Sequence, residues 1–142
     1  MVAIATYSAM SSSPDSTYKA RIVVVDDDDA VRDSLGFLLE AHQFETRLYR
    51  TGEDVLAAYD PDNVDCVLLD LNLPGINGLE VMANMRGETP DIPIVLMTAL
   101  RTGQLKKAAR SAGAVTLLDK PVREGVLIEA VKTAIGAPYP PY

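Results

Sequence analysis

Five short apolar runs alternate with amphipathic stretches along the chain after Arg21. Runs of this length and composition predict five strands, at residues 21–26, 45–49, 65–70, 93–98 and 115–119. The first, third and fourth are almost continuously apolar, which is typical of strands buried on both faces of a parallel sheet. The pattern therefore predicts a sheet that is covered by helices on both sides.

The stretches between the runs carry apolar residues at helical spacing. Three of them form clear stripes: Val31, Leu35, Leu38 and Leu39; Leu105, Ala108, Ala109 and Ala112; and Leu127, Ala130, Val131, Ala134 and Ile135. A weaker stripe comprises Leu79, Met82 and Met85, and Thr51 with Asp54 resembles a capping box that opens a helix at about 52–58. Gly113 stands where a left-handed C-cap would end the fourth helix. Right-handed crossovers then predict an α/β fold of the (βα)5 type, with a doubly wound, parallel five-stranded sheet.

The same pattern divides the chain into three parts. Residues 1–20 are rich in serine and have no apolar period, so we expect a flexible N-terminal tail. The alternation of strands and helices fills residues 21–136 and predicts one domain. Prolines at 138, 140 and 141 predict a short C-terminal tail at 137–142 that leaves no room for an output domain.

Composition narrows the function classes. The formal net charge is −7, which disfavours direct binding of nucleic acid because phosphate backbones require clustered Lys and Arg. The single cysteine, Cys66, lies within an apolar run and predicts neither a disulfide nor a cysteine-based metal site. No apolar stretch approaches the roughly 20 residues that span a bilayer, and the N-terminus does not resemble a secretory signal. We therefore expect no membrane association and a cytoplasmic location.

Polar residues close three of the predicted strands. Asp26 and Asp27 follow the first, Asp70 ends the third and Thr98 ends the fourth. Ligands of open α/β sheets bind at this edge. Converging carboxylates repel one another, and a bound divalent cation relieves this repulsion. Because the ligands are oxygens, Mg²⁺ is favoured over a soft metal. Taken alone, the acids from Asp26 onward read equally well as a solvated turn that caps the first helix.

Lys120 follows the fifth strand and brings a cation to the same edge. A lone strand-end lysine is most often a surface charge, but here it accompanies the acids and can pair with a carboxylate or a phosphoryl oxygen. The Lys120–Pro121 bond is a candidate cis peptide. His42, the only histidine, lies in a predicted loop away from the acids, where a surface role is favoured over chemistry.

Together these motifs resemble the receiver domain of two-component response regulators over residues 21–136. The resemblance rests on Val-Val-Val-Asp26-Asp27, Leu-Leu-Asp70 with Pro74-Gly75 and Gly78, Met-Thr98-Ala99, and Asp-Lys120-Pro121. It implies a flavodoxin-like receiver fold of the chemotaxis type and a signalling switch rather than an enzyme. Such a switch supports phosphoryl transfer to its own aspartate and the later hydrolysis. The lack of an output segment predicts a stand-alone receiver, and a piece of a longer regulator is the alternative.

The resemblance also implies the roles of the site residues. Asp70 would accept a phosphoryl group from a phosphohistidine. Asp27 and Asp70 would ligate Mg²⁺ directly, Asp26 through water, and the backbone carbonyl of Asn72 would complete the protein ligands. Thr98 would hydrogen-bond the phosphoryl group, and Lys120 would form an ion pair with it.

The partners implied are a sensor histidine kinase or a histidine phosphotransfer protein, and a downstream protein target; a second copy of the chain remains open. The phosphoryl charge would bias a surface near the fourth helix and fifth strand.

One position departs from the family pattern. Receivers usually carry Tyr or Phe three residues before the lysine, but this chain has Leu117. A pseudo-receiver that only binds proteins is therefore the alternative function, although such chains typically lack the acids or the lysine that are kept here. A phosphatase of the haloacid dehalogenase type is disfavoured because its second catalytic acid would fall at Asn72. A nucleotide-binding module is disfavoured because no Gly-rich loop follows the first strand.

Overall fold

The computed structural model describes residues 19–99 and 103–136. Five strands lie within this part of the chain: β1 (Arg21–Val25), β2 (Glu45–Tyr49), β3 (Cys66–Asp70), β4 (Ile94–Thr98) and β5 (Thr116–Asp119). Five α-helices alternate with them: α1 (Asp29–Ala41), α2 (Gly52–Ala58), α3 (Gly78–Glu88), α4 (Gly103–Ser111) and α5 (Glu124–Ile135). A short 3₁₀ helix, Pro61–Asn63, precedes β3. The predicted strand limits are correct to within one residue.

All four strand pairings are parallel, and the strand order is β2-β1-β3-β4-β5. The chain thus moves outward in both directions from β1, and the predicted doubly wound (βα)5 sheet is confirmed. Both central strands, β3 and β4, are completely buried. Their near-continuous apolar sequences therefore reflect burial on both faces.

Two apolar layers hold the helices to the sheet. On one face α1 and α5 pack through a layer that includes Leu35, Leu39, Leu127, Ile128 and Val131. On the other face α2, α3 and α4 pack through a layer that includes Val55, Val81, Met82, Met85 and Ala109. The helical stripes seen in the sequence supply most of these residues. None of the described helices is long and apolar enough to cross a membrane.

Side-chain caps fix where α2 and α3 begin. Thr51 accepts a hydrogen bond from the amide of Asp54 at 3.0 Å, as its spacing predicts. The fully reciprocal capping box lies instead at α3, where Asn77 and Glu80 each accept from the other's amide at 3.0 Å. Gly113, with φ of +98°, adopts the left-handed conformation predicted after α4.

Most of the predicted tails lies outside the described residues. The predicted flexible segment covers residues 1–20, of which only residues 19 and 20 are described, and the predicted C-terminal tail at 137–142 lies outside altogether. Both tails, and the domain limits of 21–136, stay predictions.

Candidate functional site

Three carboxylates meet at the carboxyl edge of the sheet. Asp26 directly follows β1, and Asp70 is the last residue of β3. Asp26 is fully buried and Asp70 is 3% exposed, whereas Asp27 lies at the surface. One carboxylate oxygen from each of the three lies within 4.8 Å of the others. The acids that the sequence placed at separate strand ends therefore form one cluster.

Lys120 joins two of these acids. Its Nζ lies 2.7 Å from Oδ2 of Asp26 and donates a hydrogen bond of 3.0 Å to Oδ2 of Asp70. The Lys120 amide also donates to the carbonyl of Thr98 at 2.8 Å, which continues the β4–β5 pairing beyond the strand. The bond to Pro121 is cis, as the sequence suggested. Oδ2 of Asp26 is buried and faces the Lys120 ammonium group, which it shares with Asp70.

Burial and charge shift the pKa values of this pair. Burial raises the pKa of the Asp70 carboxyl and outweighs the stabilising contacts from the Asn72 amide and Lys120; the charge of Asp26 raises it further. For Lys120, burial alone would lower the pKa of the ammonium group. Its contacts with Asp26 and Asp70 outweigh that effect, and the pKa is raised. Lys120 is therefore a permanent cation beside a carboxylate that is costly to ionise.

The backbone after β3 orients the Asp70 side chain. The amide of Asn72 donates to Oδ1 of Asp70 at 3.1 Å, so each carboxylate oxygen has its own donor. Gly78, at the start of α3, donates its amide to the carbonyl of Leu71 at 3.0 Å. A Cβ atom at Gly78 would lie 2.5 Å from the Asp70 carbonyl oxygen, closer than real contacts allow. Only glycine lets α3 begin this close to Asp70.

Thr98 is the last residue of β4 and is completely buried. It lies in register with Asp119 of β5, one residue before Lys120. The structure therefore places all three polar strand ends and the lysine at one edge, as predicted. Leu117, the departure from the family pattern, is half-buried and packs against the apolar layer shared with α2, α3 and α4.

The four consecutive aspartates divide into separate contacts. Asp28 is the N-cap of α1 and accepts from the Val31 amide at 3.1 Å, so the helix-capping interpretation is right for Asp28. It is wrong for Asp26, whose Oδ1 accepts from the Asp28 amide at 3.0 Å and whose Oδ2 faces Lys120. Asp27 belongs to the carboxylate cluster.

The fourth aspartate binds two arginines that the sequence analysis did not identify. Asp29 contacts Arg32 at 2.6 Å and Arg50 at 3.2 Å. The hydrogen bond from Arg32, together with both positive charges, lowers the pKa of the Asp29 carboxyl. Arg32 also donates from Nη1 to the carbonyl of Asp26 at 2.8 Å. The spacing of Asp29 and Arg32 on one helix was a signal for the first contact, but nothing in the sequence pointed to the others.

His42 is the C-cap of α1, in the predicted loop. Its Nε2 lies 2.8 Å from Oε2 of Glu124 at the start of α5, and both side chains are exposed. This contact links two helices and is separate from the carboxylate cluster.

The cluster has the properties of a divalent cation site. Three carboxylates and one ammonium group leave two negative formal charges. The ligand atoms are oxygens, and neither His nor Cys belongs to the cluster, which favours Mg²⁺ over a soft metal. The partly exposed position through Asp27 also suits an ion that keeps several waters.

Comparison with known proteins assigns the family. Residues 22–132 match the response regulator receiver domain. The chain therefore belongs to the receiver domain family of two-component signalling systems, and the resemblance noted in the sequence is confirmed.

Curated relatives are response regulators. The chain is 35% identical over 119 residues to the transcriptional regulatory protein FixJ of Bradyrhizobium diazoefficiens, covering 84% of this chain and 58% of FixJ. It is 39% identical over 101 residues to the response regulator MprA of Mycobacterium tuberculosis, covering 71% of this chain and 44% of MprA. The chain thus spans about half the length of these relatives.

Solved receiver domains share the fold. The non-phosphorylated HemR receiver domain of Leptospira biflexa superimposes with a TM-score of 0.79 at 27% identity, covering 87% of this chain and all of that chain. A putative response regulator from Chloroflexus aurantiacus has a TM-score of 0.78 at 31% identity, covering 83% of this chain and 98% of the other.

Proposed function

We propose that Asp70 accepts a phosphoryl group from the phosphohistidine of a sensor histidine kinase or a histidine phosphotransfer protein. The phosphorylated domain then binds a downstream protein target differently from the unmodified one. The observation that carries this proposal is the position of the Asp70 carboxylate. It is buried at the end of a central strand, with separate donors on its two oxygens and two further acids beside it.

The transfer is a displacement at phosphorus. An Asp70 carboxylate oxygen forms the new O–P bond while the P–N bond to the partner's imidazole breaks, and the imidazole nitrogen keeps the electron pair. The Asn72 amide and Lys120 hold the carboxylate in one orientation before the phosphoryl donor arrives. Because phosphoryl transfer is mainly positioning and charge stabilisation, this pre-orientation supports the reaction.

Asp26, Asp27, Asp70 and the backbone carbonyl of Asn72 are the residues that would hold Mg²⁺. When bound, the ion neutralises charge on the transferring phosphoryl oxygens. Asp26 and Asp27 supply most of the negative charge that attracts it, while Asp70 remains the nucleophile.

Lys120 and Thr98 act on the phosphoryl group once it is on Asp70. The Lys120 ammonium is already bonded to Oδ2 of Asp70, so a small movement brings it to a phosphoryl oxygen. The Thr98 hydroxyl donates a hydrogen bond to another oxygen. The charge of the phosphoryl group disturbs the electrostatic balance between Asp70 and its neighbours, and this disturbance shifts the elements next to β4 and β5.

The phosphoryl donor must contact the rim of the site to reach Asp70. An apolar groove of about 300 Å³ opens there between α1 and the segment after β5, and Lys120 forms part of its wall. Its other walls include Ala30, Leu35, Leu38 and Pro121. We assign this groove to the phosphodonor protein because its position beside Lys120 brings a bound partner's histidine to Asp70.

Phosphotransfer from purified histidine kinases of the host tests the proposal. A cognate kinase should label the wild-type chain and fail to label Asp70→Asn. Ala30→Arg, which narrows the groove at an exposed position, should slow transfer from the kinase at least tenfold and leave phosphorylation by acetyl phosphate unchanged. Val126→Arg, at an exposed position outside the groove, is the matched control and should transfer normally.

The alternative is a pseudo-receiver, favoured by Leu117 alone. It predicts that neither kinases nor acetyl phosphate modify Asp70. It also predicts that beryllofluoride, a phosphoryl mimic, leaves amide hydrogen exchange across α4, β5 and the start of α5 unchanged. The phosphoacceptor proposal predicts altered exchange in that region.

A further inference from the structure

The guanidinium group of Arg32 bridges two oxygens next to the carboxylate cluster. Its Nη1 donates to the carbonyl of Asp26 at 2.8 Å, and its Nη2 donates to Oδ1 of Asp29 at 2.6 Å. The Arg32 side chain is only 15% exposed although it projects from the first turns of a surface helix. A half-buried guanidinium that makes two hydrogen bonds at this position points to a specific structural role.

The Asp26 carbonyl is part of the peptide that joins Asp26 to Asp27. Because the peptide unit is planar, a hydrogen bond that fixes this carbonyl also fixes the amide group of Asp27 and the direction of its N–Cα bond. The loop is held on either side by the Asp26 amide, bonded to the Tyr49 carbonyl at 3.1 Å, and by the Asp28 amide, bonded to Oδ1 of Asp26. Arg32 supplies the third hydrogen bond, to the Asp26 carbonyl in the peptide that precedes Asp27.

We propose that Arg32 is a positioning residue for metal binding: it holds the Asp26–Asp27 peptide so that the exposed Asp27 carboxylate faces Asp26 and Asp70. Repulsion among the three acids would otherwise favour rotation of Asp27 towards water. Asp29 and Arg50 support this contact. Asp29 accepts hydrogen bonds from both arginines and so fixes the orientation of the Arg32 guanidinium group. This inference rests on the proposed Mg²⁺ site.

A lysine cannot replace this arginine. Both bonds come from different nitrogens of one planar group, and an ammonium group lacks that fork. Residues that orient metal ligands typically contribute ten- to a hundredfold to metal affinity. We therefore expect Arg32→Lys to weaken Mg²⁺ binding about tenfold while keeping the local charge. Arg32→Gln removes that charge and separates positioning from electrostatics.

Titration of the full, isotope-labelled chain with Mg²⁺, followed by amide chemical shifts, tests the inference. The matched control is Arg21→Lys, since Arg21 pairs with Asp65 at the opposite end of β1. The expected result is about tenfold weaker binding for Arg32→Lys, weaker binding for Arg32→Gln, and no change for Arg21→Lys. In the metal-free chains, the Asp27 and Asp28 amides should shift only in the Arg32 variants.

Two results would overturn the inference alone. Wild-type affinity in Arg32→Lys would show that the fork is not needed, and tighter binding in Arg32→Gln would show that the arginine acts only as a repelling charge. If the wild-type chain bound no Mg²⁺ and gave the same titration as Asp27→Asn, the proposed function would be overturned, and this inference with it.

Discussion

The close approach of Gly78 to Asp70 makes a sharp prediction about one methyl group. In Gly78→Ala the new Cβ would lie 2.5 Å from the Asp70 carbonyl oxygen and 2.7 Å from the Leu71 Cα. Both are backbone atoms of the buried strand end, so they cannot move aside as a flexible side chain would. Either α3 or the end of β3 must shift.

The cost follows from overpacking in a tight site, which is about 1–3 kcal/mol of unfolding free energy. For a domain of this size, that lowers Tm by roughly 4–12 °C. Gly87→Ala is the matched control, because Gly87 lies in the same helix, is exposed and has no atom within 4 Å of an added Cβ. It should stabilise the protein by about 0.5–1 kcal/mol through helix propensity.

Urea unfolding followed by circular dichroism gives both free energies, and acetyl phosphate labelling gives the reaction rate. Gly78→Ala should also slow phosphorylation about tenfold or more, because small displacements of a reacting group are costly. Wild-type stability and rate in Gly78→Ala would refute this explanation of the glycine. Equal destabilisation by Gly87→Ala would show that the loss comes from the helix and not from contact with Asp70.

Four further outcomes are expected. Lys120→Met should reduce phosphorylation of the chain by acetyl phosphate at least tenfold, measured by intact mass, because it removes the cation that contacts Asp70. Asp70→Asn should increase the free energy of unfolding at pH 7, because burial raises the folded pKa of this carboxyl above 3.8 and its ionisation therefore opposes folding. The gain in stability should vanish as the pH falls below 3.8, where the carboxyl is protonated in both states. Urea titrations at several pH values measure this dependence. Asn77→Ala should cost about 1 kcal/mol by removing the N-cap of α3, and Asn84→Ala in the same helix should not. Cys66, whose thiol pKa is raised to about 12 by burial, should react with a disulfide reagent only at the rate of unfolding; rapid labelling of the native chain would contradict its burial.

The strands, and the polar residues at their ends, could be predicted from the sequence because the signals for them are local. The apolar runs before Asp70 and Thr98 are nearly unbroken, and burial on both faces of the sheet requires that. Parallel strands must end at the same edge, so the positions of Asp26, Asp70 and Lys120 followed from topology alone.

Other contacts depend on long side chains that cross between elements. Arg50 reaches Asp29 from the end of β2, and Arg32 reaches back to a backbone carbonyl. Neither contact has a sequence spacing that identifies it, because flexible side chains meet only after the fold has placed them. The pairing of Lys120 with two acids at once was likewise open until the distances were known.

The proposed function requires that Asp70 is the phosphoacceptor and that its phosphorylation depends on Mg²⁺. Intact mass after incubation with acetyl phosphate tests it most directly, using the wild-type chain with Mg²⁺, the wild-type chain with excess chelator, and Asp70→Asn with Mg²⁺. We expect a gain of one phosphoryl group in the first sample and none in the other two. An equal gain in Asp70→Asn, or full phosphorylation in chelator, would contradict it.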